Sequence, residues 1–66
     1  MKIIINGQEK QLLNPINLAQ LIKNSCQDPN HVIAEVNGKI VKAETWKSFS
    51  LKNNDSIELV TFVGGG

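Results

Sequence analysis

An apolar run with the alternation of a β-strand, Ile57-Glu58-Leu59-Val60-Thr61-Phe62-Val63, leads directly into three glycines, Gly64-Gly65-Gly66. Successive side chains of a strand point to opposite sides of a sheet. One side of this strand would carry Ile57, Leu59, Thr61 and Val63, and the other would carry Glu58, Val60 and Phe62. Because both sides are largely apolar, the run predicts a strand at the centre of a sheet.

The three glycines give the end of the sequence a distinct chemical character. They carry no side chains, so the final carboxylate is the only group that such a tail presents. An extended residue spans about 3.3–3.6 Å, which lets three residues reach roughly 10 Å beyond the strand. Without Cβ atoms the tail would also fit a channel too narrow for other residues. The alternative is a frayed terminus, since chain ends are commonly disordered. We therefore expect a domain over residues 1–63 and a flexible tail over residues 64–66.

The first half of the sequence predicts a hairpin followed by a helix. Met1–Ile5 is rich in β-branched residues, and Asn6-Gly7 suits a type I′ turn into a second strand at about Glu9–Leu13. Asn17 is a good helix N-cap. The residues that then recur at helical spacing are Leu18, Leu21, Ile22 and Ser25.

The second half predicts a loop and three further strands. Turn-forming residues at 27–30 end the helix, and Val32–Val36 alternates as a strand. Asn37-Gly38 is a second hairpin turn, into Lys39–Val41. Residues 43–51 read as irregular, with Trp46, Phe49 and Leu51 as candidate core residues, and a turn at 53–55 precedes the last strand, residues 56–63.

The element order β-β-α-β-β-β predicts an α+β fold: a mixed four- to five-stranded sheet with one helix on one face. We expect the first and last strands to be central and parallel to each other. With one helix, the second face of the sheet meets solvent. Ile3, Ile5, Ile57 and Leu59 should face the helix. This leaves an exposed apolar patch of Ile4, Val60 and Phe62, with Val63 beside the tail, as the predicted partner-binding surface.

Size and composition exclude several classes of function. Sixty-six residues have little core to spare for a deep substrate pocket, so we expect a non-enzymatic module that acts through its surface or terminus. Seven scattered lysines, no arginine and six carboxylates do not form the basic stripe that nucleic acid needs. No apolar run approaches the roughly 20 residues of a membrane span. A single cysteine and no export signal favour the cytoplasm.

The residues that usually perform chemistry are sparse. His31, the single histidine, is interpreted as a solvated loop residue, and Cys26 as an inert, partly buried thiol. One histidine and one cysteine do not make a zinc site, so no metal is expected. No glycine-rich phosphate loop is present, and we expect no cofactor bound by this chain.

The chain resembles the sulfur carrier proteins of thiamine-thiazole biosynthesis, the ThiS type of the ubiquitin-like β-grasp family. The similarity runs in order through Met1–Gly7, Asn17–Ile22, Val36–Val41, Trp46, Asn54-Asp55 and Ile57–Gly66. Asn17 stands where the family usually has a threonine-type cap, and the residues from Cys26 to His31 follow no family pattern. The resemblance therefore covers most of the chain but assigns nothing to the turn after the helix.

The resemblance implies a mechanism centred on Gly66, with Gly64 and Gly65 as its flexible lead. An adenylating enzyme resembling the ubiquitin-activating enzymes would use ATP to activate the Gly66 carboxylate. A persulfide protein would then supply sulfur, and the Gly66 thiocarboxylate would donate it to thiazole synthase. We expect the free carrier to be a monomer. The alternatives are a sulfur carrier for molybdopterin synthesis and a ubiquitin-like modifier that is conjugated to lysines.

Overall fold

A computed structural model describes residues 1–25 and 28–63 of the chain. It contains five strands and one α-helix: β1 (Lys2–Ile5), β2 (Gln8–Gln11), α1 (Leu18–Ser25), β3 (Val32–Val36), β4 (Lys39–Val41) and β5 (Ser56–Thr61). Two short 3-10 helices, Pro29–His31 and Ala43–Ser48, lie in the connections. The predicted order of elements is confirmed. Cys26, Gln27 and the tail Gly64–Gly66 lie outside the described residues.

The five strands form one mixed sheet in the order β2-β1-β5-β3-β4. The central strand β5 runs parallel to β1, with Ile5 opposite Ile57, and antiparallel to β3, with Val36 opposite the same Ile57. Both predictions about the centre of the sheet are thus confirmed. A parallel pair cannot be joined by a short hairpin, which is why the helix and the β3–β4 hairpin intervene in sequence between β1 and β5.

Two Asn-Gly turns set the register of the outer strands. Asn6 and Gly7 have φ values of 48° and 82°, and Asn37 and Gly38 have 53° and 85°. Positive φ at both central residues is the requirement of a type I′ turn, which matches the twist of the strands on either side. The two predicted hairpins are therefore confirmed.

Helix α1 begins with a reciprocal pair of hydrogen bonds. The Asn17 side-chain oxygen accepts from the Gln20 N–H at 2.8 Å, and the Gln20 side-chain oxygen accepts from the Asn17 N–H at 3.0 Å. Asn17 is the predicted cap, and Gln20 completes it as a capping box. Leu18, Leu21 and Ile22 are buried as predicted. Ser25 is exposed, because it lies in the last turn of the helix, beyond the buried stripe.

The core lies between α1 and one face of the sheet. Its buried apolar residues are Ile3, Leu18, Leu21, Ile22, Val32, Ala34, Val36, Trp46, Leu51, Ile57 and Leu59. The Trp46 indole N–H donates to the Val41 carbonyl at 2.8 Å, so this large side chain is buried with its polar atom satisfied. Phe49 packs only partly against the core. The stretch predicted as irregular is a 3-10 helix that places Trp46 against the core.

Two strand ends and the burial of two side chains differ from the sequence-based expectations. The second strand ends at Gln11 rather than Leu13, whose side chain is fully exposed. The last strand ends at Thr61, although the Phe62 N–H still donates to the His31 carbonyl at 2.9 Å. Thr61 and Val63, predicted on the core side of β5, are exposed because the core ends at Leu59.

Candidate functional site

The strand that leads to the glycines is supported unequally along its length. Strand β1 ends at Ile5, and the Asn6 side chain takes its place beside β5. The Asn6 side-chain oxygen accepts from the Leu59 N–H at 2.8 Å, and its amide donates to the Leu59 carbonyl at 3.4 Å. Beyond Leu59 only β3 pairs with β5, through Val32 and Thr61. The last two residues of β5, Val60 and Thr61, are therefore paired on one edge only, and the strand ends there.

The start of β5 is fixed by a buried carboxylate. Asp55 is 8% exposed, and its side chain accepts from the Lys52 N–H at 2.7 Å and from the Asn37 side-chain amide at 3.0 Å. The Asn37 side-chain oxygen accepts from the Ser56 N–H at 3.0 Å. These hydrogen bonds connect the Asn37-Gly38 turn to the turn at residues 53–55, next to the first residue of β5. The sequence placed Asp55 in a turn but gave no sign that it is buried.

A second cluster holds the far end of the strand. The rings of His31 and Phe62 meet edge to face, with centroids 5.5 Å apart and an interplanar angle of 69°. His31 Nδ1 also lies within hydrogen-bond distance of Asp28 Oδ2, and the Asn30 N–H donates to Asp28 Oδ1 at 2.9 Å. His31 lies in the connection between α1 and β3 with 42% of its side chain exposed, which agrees with its interpretation as a solvated loop residue. What the sequence did not indicate is that its ring also contacts a carboxylate and an aromatic ring.

The hydrogen bonds in this cluster lower the pKa of the Asp28 carboxyl. The hydrogen bond from the Asn30 backbone, followed by that with His31, holds the pKa of the Asp28 carboxyl below its usual 3.8. Hydrogen bonds to a carboxylate favour its charged form. Asp28 therefore remains an acceptor for His31 throughout the neutral range.

The open face of the sheet, opposite α1, carries a run of exposed apolar side chains. Val60 is 54% exposed and Phe62 43%, and both belong to the predicted surface. Val63, the residue predicted beside the tail, is 97% exposed and lies beyond the end of β5. Ile33 and Ile40, which were not predicted, are also exposed on this face. In the sequence, the alternation along residues 32–36 and 39–41 could have indicated that these two side chains point away from the core. Ile33 lies directly opposite Val60 on the neighbouring strand.

Ile4 is separated from the other members of the predicted surface. It pairs with Ser56, four residues before Val60 along β5, and it is half-buried. Glu58 lies between these two positions on the same face. The structure therefore places Ile4 near one end of the open face and gathers Val60 and Phe62 with Ile33 near the other.

Within the described residues, the structure shows no group of three or more histidine, cysteine or acidic side chains that could hold a metal ion. Nor does any helix among those residues have the length and apolar character needed to cross a membrane. The predicted site residues Gly64, Gly65 and Gly66 lie outside the described part of the chain. What the structure does show is how the sheet presents the segment that leads to them.

Comparison with known proteins assigns this arrangement to a family. Residues 3–66 match the model of the ThiS family. The chain belongs to the ThiS family. The sequence-based resemblance is thereby confirmed, and the match includes all three terminal glycines. ThiS proteins are small ubiquitin-like sulfur carriers, and this chain is a carrier of that type.

Solved structures give the same fold. The chain is similar to the crystal structure of the thiamine biosynthesis protein ThiS from Geobacter metallireducens, with a TM-score of 0.86 and 25% identity over the whole of both chains. A solution NMR structure of a thiamine biosynthesis protein from the same organism gives a TM-score of 0.80 at 25% identity, over all of this chain and 88% of the other. The predicted β-grasp fold is confirmed.

Two relatives extend the comparison in sequence. The chain is 40% identical to the uncharacterized protein ycf40 of Trieres chinensis, over 94% of this chain and 85% of that protein. It is 30% identical over its full length to a thiazole synthase of Paramagnetospirillum magneticum. The chain spans only 20% of that second protein, so a segment similar to this carrier lies within a much longer polypeptide.

Proposed function

We propose that this carrier transports sulfur as a thiocarboxylate on Gly66 and delivers it to thiazole synthase during thiamine biosynthesis. The observation that carries the proposal is the path of β5, which is paired on one edge at Val60 and Thr61 and ends two residues before the glycines. The family match through residue 66 supports a working role for the tail. Similarity to a segment of a thiazole synthase supports that enzyme as the acceptor, rather than molybdopterin synthase.

The chemistry proceeds in three steps at the Gly66 carboxyl group. A Gly66 carboxylate oxygen attacks the α-phosphorus of ATP on an adenylating enzyme, and pyrophosphate leaves. The terminal sulfur of a protein persulfide then attacks the acyl carbon and expels AMP. A second thiol cleaves the resulting sulfur–sulfur bond, which leaves the Gly66 thiocarboxylate and a disulfide. Thiazole synthase would receive the sulfur from this thiocarboxylate.

The folded domain contributes position rather than reactive groups. A carboxylate is a weak electrophile until adenylation provides a good leaving group, and this step belongs to the partner that binds ATP. Docking through Val60 and Phe62, with Ile4 and Val63 at the margins, would hold the tail in the partner's site. A reaction between groups held in this way becomes effectively unimolecular, which raises its rate greatly. The carrier is thus a co-substrate of its partner enzymes.

Intact-mass spectrometry tests this function. The protein is incubated with ATP, its cognate adenylating enzyme and a persulfide donor, and we expect the mass increase of one oxygen-to-sulfur exchange. Fragmentation should place the change on Gly66. A variant that lacks Gly65 and Gly66 keeps the described sheet and serves as the control, with no expected increase.

The acceptor is tested by adding thiazole synthase and its other substrates to the sulfur-loaded carrier. We expect the mass to return to that of the carboxylate form as the thiazole product appears. An adenylating enzyme that shows ATP–pyrophosphate exchange with the carrier but yields no sulfur-bearing product would contradict the proposal. Isopeptide-linked adducts on lysines would instead favour the modifier alternative.

A further inference from the structure

Two glutamates lie directly opposite each other in the centre of the open face. Glu35 on β3 is the register partner of Glu58 on β5, and both side chains point away from α1. Directly opposed residues of an antiparallel pair have Cβ atoms about 4.5–5.5 Å apart, and like charges at such positions destabilise the sheet. The fold therefore tolerates an unfavourable pair at its centre.

No salt bridge within the described residues involves either glutamate. The ion pairs there are Lys2 with Glu9, at 3.2 Å, and His31 with Asp28. Lys39 on the neighbouring strand is the register partner of Val36, a core residue, and so lies on the other face of the sheet. The two carboxylates form no salt bridge in the described chain.

Apolar side chains frame the pair. Ile40 on β4 is the register partner of Glu35, and the Ile33–Val60 pair forms the next row of the sheet, followed by Phe62. We name these residues the open-face patch: Ile33, Glu35, Ile40, Glu58, Val60 and Phe62. A partner that covers its apolar members also removes water from the two carboxylates. Buried charge without a counterion is strongly unfavourable, so a partner that brings a cation is favoured over one that does not.

Building on the function proposed above, we infer that the open-face patch docks the adenylating enzyme through an arginine that enters between Glu35 and Glu58. A guanidinium presents several donors in a planar fork and can bind two carboxylates at once. Its aliphatic stem can pack against Ile40 and Val60 while the charged end reaches the glutamates. Glu35 and Glu58 thus make the open-face patch specific for a partner with an arginine, which its apolar side chains alone would not do.

The same charges exclude other occupants of the patch. Two copies of this chain packed face to face about a twofold axis would bring four glutamates together. Nucleic acid and anionic lipid surfaces would bring their own negative charges against the pair. Like charges across an interface suppress such wrong partners. A protein surface with an arginine among apolar side chains is the occupant that satisfies both parts of the patch.

The test compares the double variant Glu35→Gln/Glu58→Gln with wild type for binding to the cognate adenylating enzyme. We expect the Kd to rise roughly tenfold, the equivalent of one charge-assisted contact. The Kd of the double variant should also depend much less on salt concentration than the Kd of wild type. Thiocarboxylation at saturating enzyme should remain complete, because the tail is unchanged. The matched control is Glu44→Gln, compared with the single variant Glu58→Gln. Glu44 is exposed in the 3-10 helix Ala43–Ser48, and its variant should bind within about twofold of wild type.

Thermal unfolding of the same variants separates docking from a structural role. Because the substitutions remove a repulsion, we expect the double variant to unfold at the wild-type temperature or above it. Unchanged affinity in the double variant overturns the inference, and so does weaker binding accompanied by a lower unfolding temperature. If wild type binds but is never thiocarboxylated, the proposed function fails while the docking inference is still decided by the affinities. If wild type does not bind the enzyme, both fail.

Discussion

The two halves of β5 serve opposite purposes within one strand of six residues. From Ser56 to Leu59 the strand is held on both edges, by β1 and the Asn6 side chain on one side and by β3 on the other. From Val60 onward only the β3 edge is paired, and the side chains are exposed. The difference teaches that the carrier gains its stability from the first half and presents its surface and tail from the second.

The largest expected effect concerns burial in the first half of the strand. Ile57 is fully buried, so Ile57→Ala should lower the free energy of unfolding by about 2–5 kcal/mol. Val60→Ala, in the second half, should change it by less than about 0.5 kcal/mol, because half of that side chain is already exposed. Urea unfolding followed by Trp46 fluorescence measures both. Similar losses from the two substitutions would show that β5 is stabilised evenly along its length.

An intermediate effect is expected where β5 begins. Asp55→Ala removes two accepted hydrogen bonds and leaves the Lys52 N–H without its side-chain partner, which should destabilise the fold by about 1–3 kcal/mol. Glu44→Ala, an exposed carboxylate outside the sheet, is the control and should have little effect. The same urea titration applies. A wild-type midpoint for Asp55→Ala would mean that the two turns hold β5 in place without the carboxylate.

The smallest expected effect is a pH dependence at the far end of the strand. Because the pKa of Asp28 is lowered in the folded state, its contribution to stability is present above 3.8 and is lost as the pH falls through the lowered value. Asp28→Asn should therefore be slightly less stable than wild type near pH 7, and the difference should shrink as the pH falls through the lowered pKa of Asp28. Urea midpoints over this range test the expectation, with Glu44→Gln as the charge-matched control. A gap between wild type and Asp28→Asn that widens on acidification would contradict the sign.

Local patterns were sufficient to predict most of the fold. The alternation of residues 32–36 and 57–60, the two Asn-Gly turns and the Asn17 cap each depend on near neighbours in sequence, and each is confirmed. The parallel pairing of the first and last strands followed from their apolar character and from the absence of a hairpin between them. Gln20 completes the cap at a spacing that the sequence displays, so this contact could have been found.

The residues that sequence reasoning missed depend on contacts between distant parts of the chain. Asn6 was interpreted only as a turn residue, yet its side chain bonds to Leu59, 53 positions away. His31 had no local partner pattern that pointed to Phe62, and the opposition of Glu35 and Glu58 appears only once β3 and β5 are in register. Ile4 was grouped with Val60 because alternation gives the face of a strand but not the distance along it.

The Asn37-Gly38 turn has a consequence for how this protein ages. An asparagine followed by glycine is prone to spontaneous deamidation, since the unhindered glycine nitrogen can attack the side-chain amide. In the folded chain that amide is tethered at both atoms, by Asp55 at 3.0 Å and by the Ser56 N–H at 3.0 Å. A molecule that lost this amide would set a new carboxylate against Asp55, at the base of the strand that presents the tail. Deamidation at Asn37 is therefore expected to loosen the start of β5, where these hydrogen bonds join the two turns.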